Sequence, residues 1–380
     1  MDFFVRCRFL FRTYRFELAL FALCAAVFVP AVISEHEQRR PRGILFGDIP
    51  FYIGTVQSLV EDGDLDLRNQ MNNDLTRIQD SIGVGVNGEW YSTHPVLMPI
   101  VSIPFYIFFG MNGFLVFNLF VCMGMVQLIY RLCRLFAPEW AAFVTALVFA
   151  FATQIMVTLY NFSPDAFSTL LTLTGIYHVL RERPLAGGVF WGLAILSRIT
   201  NVVPYAAVFL YLWTGRRRGI ATLKFLAGSV PFLLVFLGMN WAQYGDPLAL
   251  SYSRVLANTE NGPMITRIAG HFGLQYAAGG LWGQLADRDH GLFFNNAVSL
   301  VGVLGLPLLF RKNARSAVFI ALVALSIYVL HGFFKLWYIS HPGSNRYLFT
   351  TIALMAVPFA CLLGGVFRRG KSAAQTGSVP

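Results

Sequence analysis

Apolar runs of about twenty residues recur from Phe16 almost to the C-terminus, and short basic clusters border them. About twenty apolar residues in a helix match the hydrocarbon core of a bilayer, so a chain built this way partitions into lipid. Composition agrees: 56% of the 380 residues are hydrophobic, only 13% are charged and the mean hydropathy is +0.59. A soluble domain carries roughly twice that charged fraction.

In a soluble chain, a net charge of +10 would point to nucleic acid or acidic partners. Here the basic residues gather at Arg6/Arg8/Arg12/Arg15, Arg131/Arg134, Arg181/Arg183, Arg216/Arg217/Arg218, Arg311/Lys312/Arg315 and Arg368/Arg369/Lys371, each beside an apolar run. With a cytoplasmic N-terminus, outward spans at 16–34, 140–158, 186–201, 225–241 and 316–337 and returns at 112–130, 164–180, 203–214, 291–310 and 347–367 bring all six clusters to one side. That satisfies the positive-inside rule and makes the charge a topology signal, with no nucleic-acid partner. The first run reads as a retained anchor, long enough to span, and not as a cleaved signal peptide.

The expected organisation is a single integral domain over 1–380, with outer loops at 35–111 and 242–290 and a cytoplasmic tail at 368–380. No cysteine falls in an outer loop, so no disulfide framework is expected. In the first outer loop, Tyr52, Val56, Leu59 and Val60 recur at helical spacing before Glu61-Asp62-Gly63-Asp64, which predicts a short amphipathic helix at the membrane surface. The apolar piece after His94 is short and broken by Pro99 and Pro104, which suits a re-entrant segment packed on protein. The runs between Ala186 and Thr214 contain Arg198, Asn201 and Pro204 and read as broken helices near a cavity. An arginine at mid-membrane costs ~2.5–3.5 kcal/mol on insertion scales, so the fold must compensate it.

Ionisable groups from distant parts of the chain map to the outward side. They are Asp48, His94, Asp165 in "NFSPDAF", Arg198, the "ADRDHG" cluster with Asp287, Arg288 and His290, and Arg346 with Tyr347. A carboxylate that stays ionised can take a proton from an acceptor hydroxyl, and arginines bind phosphate oxygens bidentately, so the set suggests a lipid-phosphate substrate. Each residue also has a plainer reading. Asp48 suits a helix N-cap, Asp165 a helix start after Pro164, His94 a structural hydrogen bond and Arg346 an interfacial snorkelling cation. Asp64 and Asp66 suit a solvated turn, and Asp287, Arg288 and His290 a solvated loop as readily as acceptor contacts.

The order of these motifs resembles the GT-C class of polyprenyl-phosphate-sugar-dependent glycosyltransferases, of the protein mannosyltransferase and aminoarabinose transferase type. "GDIPFYIGTVQSLVEDGDLDL" is similar to the first outer loop of that class, and the proline-rich piece after His94 to its re-entrant segment. "NFSPDAF" resembles its second acidic site, "GLAILSR" its arginine-bearing short span, "YGDPLALSY" the start of a later outer loop, and "GSNRYLFTTIAL" the arginine-tyrosine start of a late span. The resemblance runs from about Phe16 to Phe367. It implies an all-α polytopic membrane protein, a GT-C-like bundle of about ten transmembrane helices with amphipathic and re-entrant helices in the first outer loop.

It further implies an inverting transfer from a polyprenyl-phosphate-linked sugar donor to a hydroxyl of an envelope glycan, glycolipid or protein, on the outer face of a plasma membrane. Asp48 would be the general base, with Asp165 the second catalytic acid. Arg198 and Arg346 would hold the phosphate, and Tyr52, His94, Asp287, Arg288, His290 and Tyr347 would complete the substrate contacts. No cofactor is required. Many members carry two adjacent acids where this chain has Asp48-Ile49, which leaves a divalent metal open. A transporter or flippase of a lipid-linked sugar is the main alternative, and an inactive assembly subunit a third; the one-sided charges and the absence of a half-to-half repeat weigh against the transporter.

Overall fold

The computed structural model describes residues 2–38, 48–71, 81–249, 251–254, 271–340 and 343–376. Gly47 and the parts of the two long loops at 39–47, 72–80 and 255–270 lie outside the described residues, as do the last four residues of the tail.

Every predicted run is helical at its centre. Helix α1 (Asp2–Gln38) buries Leu20, Cys24, Phe28 and Val32, a spacing of four that puts them on one face, while Leu18, Phe21 and Leu23 stay exposed. The buried face lies against α4 (Gly113–Arg134) and α5 (Glu139–Phe151). Five helical stretches among the described residues are long and apolar enough to cross a bilayer: 14–34, 97–134, 218–244, 314–332 and 346–366.

The second of these is not one straight rod. Helix α3 (Leu97–Phe109) ends at Gly110, whose φ of +57° needs no Cβ, and a 3-10 turn leads into α4. Phe105 then meets Phe120 with ring centroids 5.7 Å apart, whereas fifteen residues of continuous helix would separate them by ~22 Å. The Pro-broken piece therefore folds back on protein, as its sequence predicts. Its neighbour α2 (Ile49–Gln57) is more enclosed than a surface helix, with Phe51, Tyr52, Ile53 and Val56 all buried.

Two predicted spans are interrupted. The run 140–158 stops as helix at Phe151, and only the short α6 (Ile155–Thr158) follows, because the Gln154 N–H donates to the Asn296 side chain (3.0 Å) in place of a helical carbonyl. The run 291–310 divides into α12 (Leu292–Asn295), α13 (Ala297–Val303) and α14 (Leu306–Lys312), with breaks at buried Asn296 and at Gly305 before Pro307. Within the second long loop, α11 (Leu274–Ala286) packs on α15 (Ala314–Gly332).

Helix α8 (Pro184–Ser197) packs on both α7 (Pro164–Leu180) and α10 (Arg218–Tyr244), whose outer face stays exposed. Glycines let α8 and α10 approach to backbone contact: a Cβ on Gly188 would lie 2.0 Å from the Phe225 carbonyl oxygen, and one on Gly228 2.3 Å from that of Leu185. A hairpin of β1 (Ile82–Val84) and β2 (Trp90–Ser92) bridges the first loop to the end of α10, the Val86 N–H donating to the Gln243 carbonyl (3.0 Å). The carboxylates of Asp64 and Asp66 hold this loop together. Asp64 accepts from the Ser58 hydroxyl (2.8 Å), and Asp66 from the Trp90 N–H (3.0 Å).

Candidate active site

Asp48 stands at the N-cap position of α2, yet its carboxylate makes no capping bond. Instead Oδ2 accepts from Arg346 Nη1 at 2.8 Å, joining positions 298 residues apart. Arg346 opens a 3-10 turn (Arg346–Leu348) that leads into α16 (Phe349–Leu354) and α17 (Ala356–Thr376). Behind Asp48, His94 Nε2 lies 3.7 Å from Oδ1. The imidazole is buried against Tyr52 (centroids 5.1 Å) and Phe51 (5.7 Å), so Tyr52 serves as its wall.

Burial by itself would raise the Asp48 pKa; the positive charges of His94 and Arg346, and the Arg346 hydrogen bond, outweigh it and hold the carboxyl below the usual range. Burial pushes His94 down to about 4, against the pull of Asp48, so the imidazole is neutral at pH 7. At neutral pH the partner that keeps Asp48 ionised is therefore Arg346.

A second ion pair joins Asp165 to Arg198. Pro164 occupies the first position of α7, where its missing N–H costs nothing, and Asp165 follows in the first turn, where the helix dipole favours a carboxylate. The Asp165 side chain is only 4% exposed, and its Oδ2 accepts from the Ser163 hydroxyl (3.0 Å). Arg198 leaves α8 in extended conformation, φ −151° and ψ +114°. It is held there by Asn201, whose amide donates to Ser168 Oγ (2.7 Å) and the Ala194 carbonyl (2.9 Å), while Trp191 donates to the Asn201 carbonyl (3.2 Å).

Tyr347 ties the two pairs together. Its ring lies under both guanidiniums, 5.3 Å from Arg198 and 5.0 Å from Arg346, and its hydroxyl accepts from Arg346 Nη2 (3.1 Å). His331 also stacks on this ring, at 4.9 Å. These groups line a cleft of about 330 Å³ shared by Asp165, Ser168, Arg198, Asn201, Arg346 and Tyr347. Arg346 Nε is buried with no hydrogen-bond partner among the described residues, a donor that a bound acceptor would satisfy.

Asp287, Arg288 and His290 lie elsewhere, in a turn between α11 and α12. Asp287 Oδ1 accepts from the backbone N–H of Asp289 (2.9 Å) and His290 (2.8 Å), and His290 Nε2 sits 3.2 Å from the Ser340 carbonyl. The turn holds Ser340 and Gly343, shortly before Arg346, and does not line the cleft. Sequence reasoning marked Asn201 only as a polar break between helices, and passed over Gln154, which grips Asn345 by both its N–H (2.7 Å) and its carbonyl (3.1 Å). The available signal was an uncharged amide inside an apolar run. Among the described residues no three His, Cys, Asp or Glu side chains converge, and both carboxylates pair with guanidiniums.

Comparison with solved structures matches nearly the whole chain to ArnT from Cupriavidus metallidurans bound to undecaprenyl phosphate, with a TM-score of 0.56 and 14% identity over 90% of this chain and 59% of that one. The chain has the GT-C fold. The oligosaccharyltransferase AglB from Archaeoglobus fulgidus, in complex with an inhibitory peptide and a dolichol-phosphate, shares the GT-C fold with a TM-score of 0.59 and 13% identity over 97% of this chain and 52% of that protein. The chain thus spans between half and three-fifths of the length of these two proteins. Residues 93–241 match the family model of dolichyl-phosphate-mannose-protein mannosyltransferases. Comparison with curated proteins by sequence returns no match. Together these make the protein a multi-pass membrane protein with the GT-C fold.

Proposed function

We propose that the chain is an inverting glycosyltransferase that moves a sugar from a polyprenyl-phosphate donor to a hydroxyl of an envelope glycan, glycolipid or protein. The observation that carries this reading is the Asp48–Arg346 pair at the edge of a cleft already holding Arg198 and Tyr347. A phosphate entering the cleft competes with Asp48 for Arg346, since a guanidinium binds phosphate bidentately. Asp48 is then released beside the reacting centre.

In the transfer, the acceptor oxygen attacks the anomeric carbon and its proton passes to Asp48. The bond from that carbon to the phosphate oxygen breaks, and the lipid phosphate leaves with the electron pair, neutralised by Arg346 and Arg198. Asp165 acts by fixing Arg198. The site faces the periplasm or cell exterior, both termini are cytoplasmic, and the chain forms one integral domain with its long loops over the site.

Incubating the detergent-solubilised protein with radiolabelled polyprenyl-phosphate sugars and envelope glycolipids tests this. Label should move to the acceptor with inverted anomeric configuration. Intact donor lipid translocated across proteoliposomes without transfer would establish the transporter reading in its place.

A further inference from the structure

Helix α11 is patterned inside out. Where it packs on α15 and the segment that follows, at the end of α15 that carries His331 into the cleft, it presents small and polar residues. A Cβ on Gly280 would lie 2.1 Å from the Gly332 carbonyl oxygen and one on Gly283 2.2 Å from the Trp337 ring, and the Gln284 amide donates to the Tyr328 carbonyl (3.3 Å). The opposite face is apolar. Leu274 and Trp282 are 82% and 71% exposed, and Ala278, midway between them at a spacing of four, is exposed too. A helix lying in water turns its apolar face to the protein. One lying in lipid does the reverse, because small residues let backbones touch while hydrocarbon takes the large side chains. Its neighbours carry exposed apolar side chains as well, Phe293 and Phe294 on α12 and Leu325 and Val329 on α15, and α15 is long and apolar enough to cross the bilayer. The 13 residues of α11 make a helix of ~20 Å, too short for a hydrocarbon core of ~30 Å.

We propose that α11 lies in the plane of the membrane surface on the side of the cleft, with Leu274 and Trp282 in the lipid, and that it sets the height of the arginine cleft relative to the lipid headgroups. Tryptophan favours that boundary, and an in-plane helix buries its apolar face at the junction of headgroups and acyl chains. The link to the cleft is short. Just before α11, Phe272 pairs with Phe334 in an antiparallel bridge, the Gly273 N–H donating to the Phe333 carbonyl (3.0 Å) and the Lys335 N–H to the His271 carbonyl (2.7 Å). Phe334 sets its edge against the Tyr347 ring (centroids 5.5 Å), and that ring lies under Arg198 and Arg346. Holding α11 at the headgroup boundary therefore holds both guanidiniums at a fixed depth beside it. The height assignment rests on the phosphate reading of the cleft above; the insertion of α11 does not.

Nitroxide labels at Leu274→Cys and Trp282→Cys test the insertion, in full-length protein carrying Cys7→Ser and reconstituted into phosphatidylethanolamine–phosphatidylglycerol vesicles. Each label's collisions are measured with oxygen, which concentrates in lipid, and with a water-soluble nickel chelate. Both labels should favour oxygen and report one depth, shallower than a label at Leu325→Cys, while Asn87→Cys serves as the water reference. Three results would overturn the insertion: nickel-chelate access like that of Asn87→Cys, which puts the face in water; access to neither reagent, which means a second copy or another protein covers it; or depths differing by the ~12 Å that eight residues of helix span, which stands α11 along the membrane normal. For the height, Trp282→Glu should weaken binding of sugar-free polyprenyl phosphate about tenfold in vesicles. In detergent micelles the affinity should be unchanged, which also shows that the variant is folded. Wild-type affinity in vesicles, or the same loss in micelles, would overturn the height assignment. A wild type that binds no polyprenyl phosphate removes the phosphate reading and the height assignment together, while the label depths still decide the insertion.

Discussion

Asp48 illustrates how a residue can be recognised from sequence while its role is not. An aspartate before a helix usually satisfies the first free N–H groups; here the carboxylate instead meets Arg346. Both residues are visible in the sequence as charges next to apolar runs, but nothing local says that they touch across 298 positions. The same holds for Asp165 and Arg198. Asp287 shows the converse, since a dense polar cluster read as a possible contact surface spends its carboxylate on two backbone N–H groups.

Two predictions follow from the charges themselves. Because the folded pKa of Asp48 is lowered, the ion pair is intact above the ordinary aspartate value of ~3.9 and is lost only as pH falls through the lower folded value. The acid limb of kcat/KM, which reports free enzyme, should therefore lie below the usual aspartate range. Once donor phosphate draws Arg346 away, Asp48 loses its cation and its pKa rises, so the acid limb of kcat should sit at higher pH. Coincident limbs in a pH–rate series would contradict the partner exchange.

His94 gives the second. An unfolded imidazole protonates as pH falls below 6.5, whereas the buried one resists to about 4. Stability should fall across that window by on the order of 3 kcal/mol and level off below it. His94→Gln should flatten this slope in thermal unfolding; an unchanged slope would place the titration elsewhere.

At the scale of elements, the helices were legible because apolar runs of bilayer length leave few alternatives. Their interruptions were less so. Proline and arginine marked the break at 198–204, but the break at 152–154 depends on Gln154 finding Asn296 and Asn345, contacts 142 and 191 residues away. Gln154→Ala would strand the buried N–H and carbonyl of Asn345. We expect a loss of about 2–4 kcal/mol in unfolding stability and weaker donor binding, because the segment that aims Arg346 loosens. Gln154→Glu restores the acceptor but not the donor and should fall between the two. Equal donor affinity in all three proteins would show that this grip does not position Arg346.

At the scale of the whole molecule, the proposed orientation rests on positive-inside asymmetry and predicts that the site opens opposite the basic clusters. Asn87 in the hairpin turn and Arg217 between α9 (Tyr205–Trp213) and α10 are both exposed. Of the five native thiols, Cys24, Cys122, Cys133 and Cys361 are buried and give little background, and Cys7→Ser removes the fifth. An impermeant maleimide should label Asn87→Cys in intact cells and Arg217→Cys only after permeabilisation. The reverse pattern would invert the topology and put the site on the cytoplasmic face.

The central claim is that Asp48 performs a proton transfer and is not merely the counter-ion of Arg346. Asp48→Asn keeps the shape and a hydrogen-bonding oxygen for Arg346 while removing the base, and it frees Arg346 from competition for phosphate. Donor affinity and single-turnover sugar transfer, measured side by side on wild type and Asp48→Asn, separate these roles. The account predicts donor binding at least as tight as wild type with transfer slowed by about 10²–10⁴-fold. Transfer at the wild-type rate in Asp48→Asn would contradict it.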